Sequence, residues 1–162
     1  MSPALVRAVL VAEDDAFWAH EGVDFDELQK SIELDWARGR LVRGGSTITQ
    51  QLAKNLFLSG ERSLLRKAQE FVIAFALEAL LSKQRILEIY LNNVEWGEGV
   101  FGAEAAARHY FRLGANALSA AQAAQLAVML PAPKRFEKRP GSPYVVGRAA
   151  TVGARMSGVD VP

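Results

Sequence analysis

Apolar residues recur along the chain at the three- and four-residue spacing of amphipathic helices, and start and stop signals of helices accompany them. A Ser-Pro pair predicts a first helix that begins at Pro3 and runs through Val11. Asp24, with Glu27 three residues later, predicts the start of a second helix, which Gly39 would end. The first quarter of the chain is therefore predicted to contain two helices.

Three serines are placed to cap later helices, namely Ser46, Ser82 and Ser119. The helix after the first serine is expected to run from residue 47 to about residue 57. The helix after the third serine is rich in alanine, and Gln122 completes a capping box at its start. Pro131 and Pro133 would close that helix.

The longest apolar stretch runs from Phe71 to Leu81 and is interrupted only by Glu78. No apolar run approaches the roughly 18 residues that a membrane-spanning helix needs, so we expect this stretch to be a buried helix at the centre of the core. Strand signals are weak. The nearest strand candidate is Val145-Val146, and the expected irregular connections are 92–102 and 131–143. The pattern predicts an all-α fold in one domain.

Composition changes this picture mainly by exclusion. Nineteen basic and eighteen acidic residues give a formal charge of +1, too balanced for a general nucleic-acid binder. The lack of cysteine excludes disulfides, thiolate zinc sites and a cysteine nucleophile. His20 and His109 lack metal-ligand spacing, which leaves open a metal held by carboxylates or by substrate phosphates.

A first cluster of polar residues follows the first predicted helix. It contains Glu13, Asp14 and Asp15, with Phe17 and His20 shortly after. Adjacent carboxylates repel each other, which favours a proton-accepting role for one of them near neutral pH. The alternative is a solvated acidic helix end.

A second cluster begins with two glycines that lead into a helix N-terminus, where backbone N–H groups and the helix dipole favour an anion. At helical spacing, Ser46, Gln50 and Lys54 fall on one stripe that offers a hydroxyl, an amide and an ammonium. Such a stripe suits a phosphorylated or sugar ligand. The alternative is an exposed helix face after an ordinary turn.

A third cluster precedes the long apolar stretch. If this segment is helical, Arg62, Arg66 and Glu70 lie at successive four-residue spacings, with Lys67 one turn before the glutamate. Guanidinium and ammonium groups together are suited to neutralising a diphosphate leaving group. The alternative is a surface ladder of ion pairs.

Together and in this order, the clusters resemble the four signature motifs of the peptidoglycan glycosyltransferases, the enzymes that polymerise lipid II. The strings are EDxxFxxHxG from Glu13, GGSTITQQLAKN from Gly44, RKxxE from Arg66 and KxxILExYLN from Lys83. The similarity covers nearly the whole chain, which resembles the monofunctional type because no penicillin-binding module follows.

This resemblance implies an all-α, lysozyme-like fold with a cleft between a large lobe and a smaller membrane-facing lobe. It implies that the growing glycan is transferred from undecaprenyl diphosphate to the GlcNAc 4-hydroxyl of lipid II, with inversion, forming β-1,4 linkages. The reaction would take place on the outer face of the bacterial cytoplasmic membrane. A divalent cation, Mg²⁺ or Mn²⁺, is expected to assist, with ligands that the sequence does not reveal.

The resemblance also implies residue roles. Glu13 matches the general base, and Glu70 matches a second essential carboxylate. The positions that match the donor diphosphate and sugar site are Ser46, Gln50, Gln51, Lys54, Arg62 and Lys67. The supporting positions are Asp14, Phe17, His20, Arg66 and Asn92. In the fourth motif we expect Tyr90 and Asn92 to brace the cleft.

Members of this family normally carry an N-terminal transmembrane helix, and we expect residues 1–162 to be a glycosyltransferase domain without that anchor, soluble or peripheral by itself. Residues between Gly22 and Arg43, with Trp36 and Leu41, are the expected membrane surface. The implied partners are lipid II, the lipid-linked glycan and the membrane, with other cell-wall synthesis proteins as further candidates and no nucleic acid.

Two other functions are compatible with parts of the pattern. A lysozyme-like enzyme that cleaves glycan also needs a glutamate acid, but it has no diphosphate for Arg62 and Lys67 to neutralise. A non-catalytic module that only binds lipid II is disfavoured because both Glu13 and Glu70 are retained.

Overall fold

The computed structural model describes residues 2–39 and 44–162. In this part of the chain nearly all regular secondary structure is helical, as the sequence predicts. The helices are α1 (Pro3–Glu13), α2 (Phe25–Arg38), α3 (Ile48–Phe57), α4 (Leu64–Leu80), α5 (Lys83–Asn93), α6 (Ala103–Phe111), α7 (Ala120–Met129), α8 (Pro133–Phe136) and α9 (Pro143–Arg155). Within the described ranges, each helix is too short or too polar to cross a bilayer.

Local capping signals account for most helix ends. Gly39 ends α2 in the left-handed conformation, and Ser119 with Gln122 forms the expected capping box of α7. The start of α3 differs by one residue from the prediction, because Thr47 rather than Ser46 is its N-cap. Thr47 makes a reciprocal capping box with Gln50, which a residue one position earlier is not placed to form.

The chain divides into two compact units. The first contains the described residues up to Asp15 together with Tyr90–Pro162, and the second contains the described residues from Ala16 to Ile89. In the first unit, α7 packs against α1 and α9 around an apolar core that includes Leu126 and Met129. In the second unit, α3 packs against α4.

Two connections predicted to be irregular contain regular structure. Strands β1 (Glu95–Gly97) and β2 (Val100–Phe101) form an antiparallel hairpin within the first of them. Gly102, which follows β2, has a φ of +84°, and a Cβ there would lie 2.5 Å from the Asn92 carbonyl oxygen. Helix α8 lies within the second connection, and the strand candidate Val145-Val146 is part of α9.

The expectation that the stretch from Phe71 to Leu81 is a buried central helix is wrong. It belongs to α4, in which only Glu70 and Ala74 are buried. Leu64 is 92% exposed and Leu80 is 81% exposed. Helix α3 covers only part of the apolar surface of α4. The rest of that apolar surface is exposed.

Candidate functional site

Two helices of the second unit bring together a buried carboxylate and an ammonium. Glu70, on α4, is 5% exposed, and its Oε1 accepts a hydrogen bond of 2.8 Å from Lys67 Nζ. The same ammonium donates to Ser46 Oγ, 3.1 Å away, in the segment that leads into α3. The second and third motifs therefore meet at Lys67.

Lys54, half-buried on α3, belongs to the same cluster. Burial lowers the pKa of Lys54 below its ordinary value, and the charge of Glu70 opposes that shift. Three further cations, Arg66, Lys67 and Arg62, add to the lowering. Three cations and one buried carboxylate thus act on the Lys54 ammonium, an excess of positive charge that an anionic ligand would relieve.

Arg62 and Arg66 reach this cluster in a way that differs from the sequence prediction. Ser63 caps α4 by accepting a hydrogen bond from the Arg66 N–H, so Arg62 lies outside the helix and the expected four-residue ladder is wrong at that position. The Arg66 guanidinium donates to the carbonyl oxygens of Ser59 and Glu61, at 3.2 and 2.7 Å. Arg66 therefore holds the loop that carries Arg62.

The predicted stripe of Ser46, Gln50 and Lys54 along one helix face is only partly formed. Ser46 lies before the helix. Gln50 is fully buried, and its Oε1 accepts a hydrogen bond from the Thr47 N–H. The Gln50 Nε2 is also buried and has no hydrogen-bond partner among the described residues. Gln51 Nε2 donates to the Ser46 carbonyl oxygen at 3.5 Å. Two amides therefore lie next to the segment that contacts Lys67.

The carboxylates of the first motif belong to the first unit. Glu13 is the last residue of α1, and its Oε1 is buried, while Asp14 is the C-cap of the helix. Tyr90, in the same unit, is fully buried. Burial raises the pKa of the Tyr90 phenol well above its ordinary value, and the charges of Glu13 and Asp14 raise it further. The tyrosine of the fourth motif thus lies close to the expected base.

Phe17 and His20 of the first motif belong to the second unit. Phe17 is fully buried and makes edge contacts with the rings of Trp18 and His20. The Lys83 ammonium lies 4.5 Å from the centre of the Phe17 ring, a cation–π contact. Lys83, the first residue of the fourth motif, therefore contacts Phe17 of the first motif.

Lys83 also belongs to an ion-pair network inside the second unit. Its Nζ lies 2.8 Å from Glu78 Oε1, which accepts a further hydrogen bond of 2.7 Å from Thr49 Oγ1. Gly22 packs on the same place, since a Cβ there would lie 3.2 Å from Glu78 Cγ. Residues of the first, second and fourth motifs thus converge on one glutamate of α4.

A family model described as Transglycosylase matches residues 1–157 of this chain. The chain belongs to the transglycosylase family. A biosynthetic peptidoglycan transglycosylase of Paraburkholderia xenovorans is 52% identical over all of this chain and 68% of its own length. Proteins of the same name from Burkholderia pseudomallei and Methylobacillus flagellatus are 55% and 54% identical over 98% of this chain, which corresponds to 62% and 69% of their lengths. The chain spans about two thirds of these relatives.

Asn92 was expected to support the transglycosylase site. It lies in the last turn of α5 with an exposed side chain, and its backbone carbonyl is the group against which Gly102 packs. In the first unit, this contact fixes the start of the hairpin of β1 and β2.

The carboxylates of the described residues do not form an evident metal-binding site. Among the described residues, no three His, Cys, Asp or Glu side chains come together as a group that could hold a metal ion. Glu70 already accepts a hydrogen bond from Lys67, which makes it a poor ligand for a second cation. The described residues therefore reveal no ligand set for a cation, and the expected dependence on Mg²⁺ or Mn²⁺ stays a prediction.

Thr49 and Glu78 are the site-supporting residues that the sequence analysis missed. The available signal was the single carboxylate inside the apolar stretch of α4, because a charge in such a place needs a partner. The identity of that partner depends on tertiary packing, since Lys83 is five residues away and Thr49 is on another helix.

Proposed function

We propose that this transglycosylase domain polymerises the glycan strands of peptidoglycan. In the reaction, the 4-hydroxyl of an incoming lipid II attacks the anomeric carbon of a glycan attached to undecaprenyl diphosphate. The new glycosidic bond forms as the bond to the diphosphate breaks, with inversion at the anomeric carbon. The observation that carries the proposal is the concentration of positive charge at Lys54, on which Arg62, Arg66 and Lys67 act, next to the ion pair of Lys67 with buried Glu70.

The leaving group of this reaction is a diphosphate, which departs readily only when its negative charge is met. Lys54, Arg62 and Lys67 would supply that positive charge. Glu70 would hold Lys67 in place, and Arg66 would hold the loop of Arg62. Ser46 and the amides of Gln50 and Gln51 are proposed to contact the neighbouring sugars, which for Gln50 requires its buried amide to become accessible.

Glu13 is proposed as the general base that takes the proton of the acceptor hydroxyl. Its carboxylate lies at the C-terminal end of α1 with one oxygen buried, a site in which the side chain is held by the fold. Asp14 and Tyr90 would position it from within the same unit. The glycan-cleaving and non-catalytic alternatives are not favoured, since the relatives are named as biosynthetic enzymes.

A membrane surface is the proposed partner of the second unit. Trp36, on α2, is 89% exposed, and α3 and α4 of the same unit also carry large exposed apolar residues. Large exposed apolar patches on a folded domain mark interaction surfaces, and the lipid-linked substrate lies in a membrane. Leu41, the other expected contact, and Arg43 lie outside the described residues. We place the reaction on the outer face of the cytoplasmic membrane, where peptidoglycan is made.

The test is to incubate the protein with labelled lipid II in detergent, with and without Mg²⁺, and to separate the products on a gel. The proposal predicts a ladder of lipid-linked glycan strands. Release of short, lipid-free sugar fragments from preformed glycan would instead support the lysozyme-like alternative. Binding of lipid II without a product, in detergent and on vesicles alike, would support the non-catalytic one.

A further inference from the structure

The first unit contains an open cavity of about 620 Å³ between the end of α8 and the start of α9. Its lining residues are Arg135, Phe136, Lys138, Arg139, Ser142, Pro143 and Tyr144. The opposite end of α9 carries Arg155, which pairs with Asp15 at 2.8 Å, two residues after Glu13. Twelve helical steps separate Pro143 from Arg155, so about 18 Å of helix lies between the cavity end of α9 and the end that contacts Asp15.

Charged residues near the cavity fall into two groups. Lys134 pairs with Glu95, and Glu137 accepts from the Glu98 N–H and lies 3.2 Å from His109, so these two are engaged with β1 and α6. The cavity-lining cations are Arg135, Lys138 and Arg139. Within the described part of the chain, none of these three has a carboxylate at ion-pair distance. The local excess of positive charge therefore faces the cavity and calls for an anionic ligand.

The aromatic residues of the cavity add a second chemical requirement. The rings of Phe136 and Tyr144 are stacked, with centroids 5.6 Å apart and planes inclined by 8°. Tyr144 is 62% exposed, and the Arg135 guanidinium lies 5.8 Å from the centre of the Phe136 ring. A flat aromatic face next to guanidinium groups offers apolar contact to the C–H face of a sugar ring while the cations bind its acidic substituents.

We propose that this cavity binds a carboxylate-bearing glycan, and specifically the peptide-bearing strand that the domain itself produces. The identity of the glycan rests on the proposed function, whereas the acidic and sugar-like character of the ligand rests on the cavity. An anionic lipid headgroup fits the site less well. The large exposed aliphatic residues that insert into a bilayer lie mainly on α2, α3 and α4 of the other unit.

The test measures the affinity of the purified protein for soluble, lipid-free peptide-bearing glycan strands. The variants are the double substitution Arg135→Ala with Arg139→Ala, and Tyr144→Ala. Arg148→Ala is the matched control, since this exposed arginine lies on α9 but does not line the cavity. All replaced side chains are exposed, so each variant is expected to fold. An unfolding midpoint equal to that of the parent checks this for each variant.

We expect the double variant to bind the strands at least tenfold more weakly, Tyr144→Ala to bind severalfold more weakly, and Arg148→Ala to bind like the parent. Chemical amidation of the carboxylates, which leaves the strands in place but removes their negative charge, is expected to weaken binding by the parent to the level of the double variant. Parent-like binding by both cavity variants, or no strand binding by the parent, would overturn the proposal.

Two further measurements distinguish a glycan site from a lipid site and from a failure of the proposed function. Loss of binding to anionic phospholipid vesicles with strand binding retained would overturn it in favour of a lipid site. The rate of the first glycosidic linkage is expected to be unchanged in all variants. If the parent makes no polymer from lipid II but strand binding is still lost in the cavity variants, the proposed function fails and the acidic-glycan site stands.

Discussion

Glu70 and Lys67 form an ion pair whose two ends lie in different surroundings. The atoms are 2.8 Å apart, and the glutamate side chain is 6% exposed while that of the lysine is 39% exposed. The Glu70 carboxylate is buried, and it positions the Lys67 ammonium, which is still accessible to a ligand. Glu70 is therefore placed to position the neighbouring positive charge as well as to neutralise part of that charge.

Glu70→Gln is expected to change the pH dependence of donor binding. The pKa of Lys54 is already below 10.5 because of burial, and Glu70 opposes that lowering, so its removal lowers the pKa further. The charge of Lys54 is present below its pKa and is lost as the pH rises through it. Donor affinity should therefore decline at a lower pH in the variant than in the parent.

The measurement is a titration of lipid-linked donor binding across the alkaline range. Glu61→Gln is a suitable control, because Glu61 is exposed in the loop before α4 and does not contribute to the shift of Lys54. A decline at the same or a higher pH in Glu70→Gln would show that the glutamate does not support Lys54.

Lys54→Ala and Arg62→Ala are each expected to reduce turnover by roughly tenfold to a thousandfold, the range seen when a preorganised charge-stabilising donor is removed. Polymerisation of labelled lipid II by purified variants measures the effect. Arg85→Ala removes a cation of the same unit whose only ion pair in the described residues is an exposed one with Glu88, and it should leave the rate unchanged. Near-parent rates in both site variants would refute the donor-diphosphate assignment.

Glu78→Leu is expected to destabilise the fold by about 3 kcal/mol, because it leaves the Lys83 ammonium without its carboxylate in a mostly buried place. Thr49→Val, which removes one hydrogen bond to the same glutamate, should cost about 1 kcal/mol. Urea unfolding measures both values. Equal stability of Glu78→Leu and the parent would mean that the network does not join the three motifs energetically.

Trp36→Ser is expected to weaken binding to phospholipid vesicles by about tenfold, since a fully exposed indole loses its apolar contact with the bilayer. The parent unfolding midpoint should be retained. Phe101→Ser, which removes an exposed aromatic ring from the first unit, is the control and should bind vesicles as the parent does. Equal losses in the two variants would argue against a membrane surface specific to the second unit.

Much of the fold could be predicted because helix ends depend on local chemistry. Gly39 and the Ser119 capping box act within one turn of chain and are visible in the sequence. The hairpin of β1 and β2 was missed because strands of three and two residues have no alternation to detect. The exposure of α4 is not visible in the sequence, because an apolar stretch has the same pattern whether it faces a protein core or an interaction surface.

The candidate site was found from the order and spacing of its motifs, yet its geometry was only partly predictable. A one-residue shift of the N-cap from Ser46 to Thr47 turns Gln50 inward. The cap at Ser63 likewise removes Arg62 from the helix. The first detail depends on which of two neighbouring hydroxyl residues caps α3, and the second depends on the residue at which α4 begins. Helix boundaries are uncertain by one or two residues when they are assigned from sequence alone.

The central claim is that Glu13 is the base of a glycan polymerase, and Glu13→Gln tests it most directly. The substitution keeps the shape of the side chain and removes its ability to accept a proton. Asp15→Asn, which changes an exposed carboxylate two residues away, is the matched control. We predict that Glu13→Gln binds lipid II but makes no polymer, while the control polymerises normally. Turnover by Glu13→Gln close to that of the parent would contradict the account.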